Sequence, residues 1–254
     1  MGGLMIKREQ VSNSVTVVQF NHGPVSALDL EFLVAIRAEL AELAETDTAL
    51  VLTGTGSAFS AGVDLVRLIE GGAGYVADFI PALSGAFTDL FGYRRPVVAA
   101  VNGHAIAGGC VIAACADHRL MADGKGRIGV PELLVGVPFP SVALLAVRSA
   151  LGDVGAADLV YSGVTLPPAE ALRRGLVEEV VPEAELLERA IAKAERLAAV
   201  PRSTFEHTKR SLRDRYWQEF ETTGRQRDAE MLDLWAAPEI LSAVADYVKK
   251  TLGK

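Results

Sequence analysis

Glu132 is the residue of this sequence best placed to move a proton. It stands alone among apolar residues in "GVPELLVGVPFP" (129–140). A carboxylate in such surroundings is costly to ionise, so its pKa is expected to rise toward the working range of a general base. The plainer alternative is an acid at a helix start, where Glu after Pro is favoured. Two further stretches, "AFSAGVDL" (58–65) and "GHAIAGGCV" (103–111), each join an apolar strand to a helical pattern. At such a junction the free N–H groups of the first helical turn point outward and the helix dipole adds partial positive charge. Two junctions facing one spot would give a pair of donors for a developing oxyanion. Glycine-rich turns of this kind also occur as plain structure, and spacing alone does not choose.

Other chemistries fit poorly. "GTGSAF" (54–59) lacks the third glycine of a dinucleotide fingerprint, and no phosphate-loop G-K-S/T occurs. Cys110 and Cys115 are five apart in one apolar segment; they read as buried thiols, without metal-ligand spacing. A net charge of −7 argues against a nucleic-acid partner. Residues 96–115 hold only Asn102 and His104 as polar side chains, long enough for a membrane span. Pro96, the Asn102-Gly103 turn signal and the Gly108-Gly109 pair divide that run into a strand, a turn and a helix start, so no membrane segment is expected. The N-terminus carries no long apolar signal region, and a cytoplasmic protein is the default.

The elements that must hold these residues follow a rhythm of apolar run, glycine turn and helical pattern. The 254 residues, half of them hydrophobic, suffice for one large domain with or without an appendage. "VTVVQF" (15–20), "ALVLTG" (49–54), "PVVAAVNG" (96–103), "HRLMA" (118–122), "GRIGV" (126–130) and "LVEEVV" (176–181) read as strands. Leu30, Leu33, Ile36, Leu40 and Leu43 recur at helical spacing after Ser26 and Asp29, which are spaced as a capping box. "PPAEALRRG" (167–175) is a short helix opened by Pro and closed by Gly. Strands alternating with helices predict a mostly parallel α/β fold. The Gly-rich stretch 70–85 predicts a mobile loop over a binding site. From about residue 183 the pattern is helical, broken at Pro201 and Pro238. This sets an α/β core over 1–200 and a helical region over 201–254. The tail's Phe220, Met231, Leu234, Trp235, Ile240 and Tyr247 must cover either the chain's own core or another subunit.

Taken in order, "GSAFSAGVDL", "RPVVAAVNGHAIAGGC", "ACADHRLMAD", "GVPELLVGVP" and "PPAEALRRGLVEEVVP" resemble the crotonase superfamily, the enoyl-CoA hydratase/isomerase family, over nearly the whole chain. The resemblance implies a crotonase-like α/β spiral of ββα units with a C-terminal helical trimerisation region. It implies a homotrimer or dimer of trimers. It also implies an acyl-CoA thioester substrate, with no metal and no cofactor beyond the substrate's own coenzyme A. By the family pattern the oxyanion donors are the N–H groups of Val63, just after Ala61 and Gly62, and of Gly108. Coenzyme A would lie along Ser26, Ala27 and Leu28, the first turn with Asp64 and Leu65, and Gly109. In the family a basic residue from the C-terminal helix of a neighbouring subunit can help hold it; Tyr247, Lys249 and Lys250 lie in that helix, and Lys249 and Lys250 equally read as a solvated helix end. Hydratases of the family carry one acid three residues after the second oxyanion glycine, and here that position is Val111; the other acid matches Glu132. A single acid resembles the Δ3,Δ2-enoyl-CoA isomerases, in which one glutamate shuttles a proton from C2 to C4. The alternatives are a hydratase that recruits Asp64 or the 70–85 stretch as second acid, other enolate chemistry on acyl-CoA, and an acyl-CoA-binding protein without turnover. Asp64 otherwise reads as a helix cap, and His104 and Asp117 as structural residues.

Overall fold

The computed structural model describes residues 4–253, and its strands divide between two sheets according to their place in the chain. The first turn of the chain is β1 (Ile6–Ser12), β2 (Val15–Phe20) and helix α1 (Leu30–Glu45). The second is β3 (Ala49–Thr53), β4 (Ala58–Ser60) and α2 (Leu65–Phe91). The third is β5 (Val97–Val101), β6 (His104–Ile106) and α3 (Gly108–Cys115). The fourth is β7 (His118–Ala122), β8 (Ile128–Gly129), the short α4 (Glu132–Val135) and α5 (Ser141–Ser162). Then come β9 (Thr165–Leu166), α6 (Pro168–Arg173), β10 (Glu179–Val181) and α7 (Leu186–Ala198). The large sheet runs β1-β2-β3-β5-β7-β10 and the small one β4-β6-β8-β9. From β2 onward the large sheet is parallel, as are β4, β6 and β8. The first turn gives both its strands to the large sheet; each of the next three adds one strand to the large sheet, steps across to add one to the small sheet, and returns by a helix. This is the expected spiral of ββα units.

Burial on both faces explains the composition of the strands. β3 and β5 are buried at every position, as a parallel sheet covered on both sides requires. One face meets α1, α2, α3 and α5. The other meets α7, through Leu186, Ala190 and Ala194 against Val51, Val98 and Leu120. The apolar run 96–115 is thus β5, β6 and α3, and among the described residues no helix is long and apolar enough to cross a membrane.

Several local expectations are corrected. Residues 70–85 are not a loop but the interior of α2, with Val76, Phe79, Ile80 and Leu83 buried at helical spacing. The helix is broken at one point only, Gly72, with φ +56°. The capping pair is also different: Asp29 itself caps α1, its Oδ1 accepting from Phe32 N at 2.8 Å, while Ser26 is buried at φ +48°. "GRIGV" yields a strand only at 128–129. "LVEEVV" pairs only from Glu179, because the N–H groups of Leu176 and Val177 close the end of α6 by donating to Ala171 O.

The tail folds onto the same chain. It comprises α8 (Arg202–Glu219), a π-type turn (Phe220–Gly224), α9 (Arg225–Ala236) and α10 (Pro238–Leu252). Phe220, Met231 and Trp235 are buried in the main core, and Ile240 and Tyr247 rest against it, whereas Leu234 stays 48 % exposed. Asp117, at the mouth of β7, fastens α8. It accepts from Val97 N at 2.8 Å, from Lys209 Nζ at 2.8 Å and from Arg213 Nη2 at 3.0 Å. Lys209 also donates to Arg95 O, and Arg213 to Cys115 O and Phe91 O. Burial pushes the Lys209 ammonium down to about 8. Asp117 is structural, as its place in the sequence suggested.

Candidate active site

Three parallel strands of the small sheet end side by side, and a candidate functional group follows each. After β4 comes the turn 61–64. Gly62 takes φ +80°, and a Cβ there would lie 3.1 Å from Gly108 N while pressing on Ile106 O and Ala107 Cβ. Glycine is therefore required by both conformation and space. The turn is sewn to residues 25–28: Ala61 N donates to Val25 O at 3.0 Å, Leu28 N to Gly62 O at 2.8 Å, and Asp64 N to Leu28 O at 3.0 Å. Among the described residues no group accepts from Val63 N–H.

After β6 comes the second turn. Ala107 takes φ +52°, its N–H donates to Gly129 O at 2.8 Å, and its carbonyl accepts from Val111 N at 3.0 Å. Gly108 is the first residue of α3, so its N–H has no helical partner and lies at the positive end of the helix dipole. Its Cα faces the Leu28 side chain and Phe87, and a Cβ there would press on Leu28 Cδ1 at 2.7 Å. A Cβ on Gly109 would collide with Ser60 O. The two turns thus touch, each with a free N–H, as an oxyanion hole demands.

After β8 comes Glu132, the first residue of α4, three positions beyond the Gly129 carbonyl that holds the second turn. The residue is half-buried, but its Oε2 is enclosed and has no hydrogen-bond partner among the described residues. Burial pushes the carboxyl up to about 8, opposed only by its own backbone N–H; no neighbouring carboxylate contributes. Cys110, whose thiol is raised by burial and then by the Glu132 charge, is its electrostatic neighbour. The tail closes this side. Trp235 Nε1 donates to Pro138 O at 3.0 Å, and Asp228 accepts from Ser141 N at 2.7 Å.

The sequence-predicted residues are largely brought together. Leu28 bridges to Val63 and presses on Gly108, which places Ser26, Ala27 and Leu28 beside Ala61, Gly62, Asp64, Leu65 and Gly109. Val111 is buried and apolar on α3. Asp64 caps α2, accepting from Arg67 N at 3.0 Å. His104 pairs with Ala58 in the small sheet. Lys249 and Lys250 are exposed in the last turn of α10, and no described contact ties them or Tyr247 to the two turns. Phe87 was missed. The period Val76, Phe79, Leu83, Phe87 would have shown it, but the glycines of the same stretch suggested a loop.

Comparison with known proteins decides the family. The profile of the enoyl-CoA hydratase/isomerase family matches residues 10–250. The chain belongs to the enoyl-CoA hydratase/isomerase family. It is 32% identical over 204 residues to the mitochondrial enoyl-CoA delta isomerase 1 of Rattus norvegicus, covering 78% of this chain and 70% of that protein. It superimposes on the crystal structure of human mitochondrial Δ3-Δ2-enoyl-CoA isomerase with a TM-score of 0.92 at 26% identity, covering 98% of this chain and 99% of that one. It is also 37% identical over 148 residues to the carnitinyl-CoA dehydratase of Escherichia coli, covering 58% of this chain and 56% of that protein. This member of the family thus has relatives named for double-bond migration and for water chemistry.

Proposed function

We propose that the chain is an enoyl-CoA isomerase that moves the double bond of a 3-enoyl-CoA to the 2,3 position, with Glu132 as its single base. The observation that carries this reading is the state of the Glu132 carboxyl: its Oε2 enclosed and without a partner among the described residues, and its pKa raised by burial with no second acid beside it. A paired-acid site would add like-charge repulsion to that shift. The Glu132 carboxylate takes a proton from C2. The C2–H electrons flow into the thioester carbonyl, and the dienolate oxygen accepts hydrogen bonds from Val63 and Gly108 N–H. The neutral Glu132 then returns the proton at C4, the C3–C4 double bond moves to C2–C3, and the carbonyl reforms. Nothing is added or lost, so the reaction needs no metal and no cofactor beyond the coenzyme A carried by the substrate. The apolar setting favours the neutral acid and keeps water from the dienolate.

The rat and human relatives support this reading. The dehydratase relative favours a second one, in which water is added or removed. That chemistry needs another acid, and Asp64, the nearest candidate in the sequence, uses its carboxylate to cap α2. The deciding experiment gives purified protein 3-hexenoyl-CoA and follows the conjugated 2-enoyl thioester. Crotonyl-CoA runs in parallel, and Glu132→Ala is the control. Isomerisation lost in the variant, with little hydration, upholds the proposal; efficient hydration overturns it, and binding without turnover points to a carrier.

The proposal extends to assembly and place. Residues 1–200 would form the core, and 201–254 would mediate a homotrimer or dimer of trimers. Exposed apolar side chains of that region support an interface: Leu212 is 72% exposed and Leu234 48%. Light scattering is expected to return three or six times the chain mass of 26.9 kDa. A cytoplasmic location is proposed with it, testable by fractionation.

A further inference from the structure

We infer that the Ser60 hydroxyl aims the first oxyanion donor and so acts as a positioning residue for the reaction. The inference rests on reading Val63 and Gly108 as an oxyanion hole. Ser60 ends β4 and is wholly buried. Its Oγ accepts from Gly62 N at 3.2 Å and donates to Ser26 O at 2.8 Å. Gly62, at φ +80°, is the pivot of the turn and the residue freest to change its backbone angles. Two peptide planes meet there. The plane before it is held through Gly62 N–H by Ser60 Oγ. The plane after it is held through Gly62 C=O by Leu28 N–H at 2.8 Å. Val63 N–H belongs to that second plane, so its direction follows from both clamps. Leu28 N–H is backbone, which leaves Ser60 as the side chain that fixes the pivot.

Ser60 joins all the parts of the hole. Its hydroxyl holds the Ser26 carbonyl, in a segment kept at positive φ beside the expected coenzyme A contacts. Its own carbonyl lies against Gly109, next to the second donor. Without the hydroxyl, Gly62 N–H and Ser26 C=O lose their partner, and the plane that bears Val63 N–H is held by the Leu28 N–H clamp alone. Ser60 touches no reacting atom and acts only through Val63.

The test is Ser60→Ala, read by two measurements. In the first, 2,4-hexadienoyl-CoA is bound to parent and variant. Its absorption moves to the red when the thioester carbonyl is polarised, whichever reaction the enzyme runs. In the second, kcat and KM are measured with 3-hexenoyl-CoA. The expected result is a smaller red shift and a kcat about 10- to 100-fold lower, since losing a whole oxyanion donor costs about 100- to 1,000-fold. KM should stay within about threefold, because the interaction lost is one made in the transition state. A merely structural role would lower the melting temperature and leave the red shift of the bound ligand untouched. That result, with parent kcat per folded molecule, overturns the inference. Should Ser60→Ala fail to fold, Ser60→Cys carries the test: its longer, weaker bonds should give a smaller loss of the same sign in both readouts, and parent values in both overturn it. A parent that gives no red shift would instead remove the oxyanion-hole reading itself.

Discussion

Glu132→Gln is expected to abolish turnover and, at the same time, to make the fold more resistant to denaturation at alkaline pH. Loss of a general acid–base group costs about 100- to 10,000-fold in rate. The stability effect has the opposite sign. The Glu132 carboxyl has an ordinary value of 4.5 and is pushed up to about 8 by burial. Its folded pKa lies above its unfolded one, so the favourable contribution of the neutral acid is fully present below about pH 4.5. It is lost as the pH rises through 8. Over that window the parent should weaken relative to the glutamine variant by about 1.4 kcal/mol per pH unit, reaching a few kcal/mol. Urea denaturation of both proteins at pH 5, 7 and 9 measures the difference; parallel curves would show that the carboxyl is not buried as described. The same titration predicts that kcat/KM of the parent rises with pH, is half-maximal near pH 8 and levels above it, because the base must be ionised to act.

Asp117→Ala should cost stability on the scale of the whole fold without entering the chemistry. The variant leaves Lys209 and Arg213 buried with their shared anion removed. Breaking a buried ion pair from one side costs about 3–5 kcal/mol. The penalty should shrink as the pH rises. Lys209 is held down to about 8 by burial, with Asp117 opposing the shift; without Asp117 it goes lower and sheds its charge at milder pH. Denaturation midpoints at pH 6 and 9 test this. A loss equal at both pH values would mean that the hydrogen bonds of Asp117, not its charge, fasten α8. Per folded molecule, kcat should match the parent, since Asp117 lies at the start of β7 and Glu132 follows β8.

How much of this was legible in the sequence depended on what fixed each residue. Gly62 and Gly109 could be read because close contact with a neighbouring backbone excludes a side chain there, and that demand leaves glycine at a set place after a strand; Gly108 instead faces the Leu28 and Phe87 side chains. Glu132 was legible because a charge among apolar residues is rare without cause. The helical nature of 70–85 was hidden, since Gly71, Gly72, Gly74 and Pro81 speak for a turn while the buried period of Val76, Phe79, Ile80 and Leu83 decides the outcome through tertiary packing. Ser26 looked like a cap by spacing; Asp29 took the role because Ser26 is drawn into the strained strip beside the first turn. Partners distant in sequence, such as Asp117 with Lys209 or Trp235 with Pro138, left no local trace.

The side-by-side ending of β4, β6 and β8 turns the small sheet into a ruler. Neighbouring strands stand about 4.8 Å apart. Two donors one strand apart can each reach a single oxygen between them at about 2.9 Å, which is the geometry of a two-pronged oxyanion hole. Glu132, the proposed base, stands one further strand along, a distance commensurate with the step from a carbonyl to the carbons beyond it. The pitch comes from backbone hydrogen bonds, so it does not depend on which side chains fill the pocket. In the proposed reading, valine in place of an acid at position 111 changes the reaction while the spacing between oxygen and base stays as the sheet sets it.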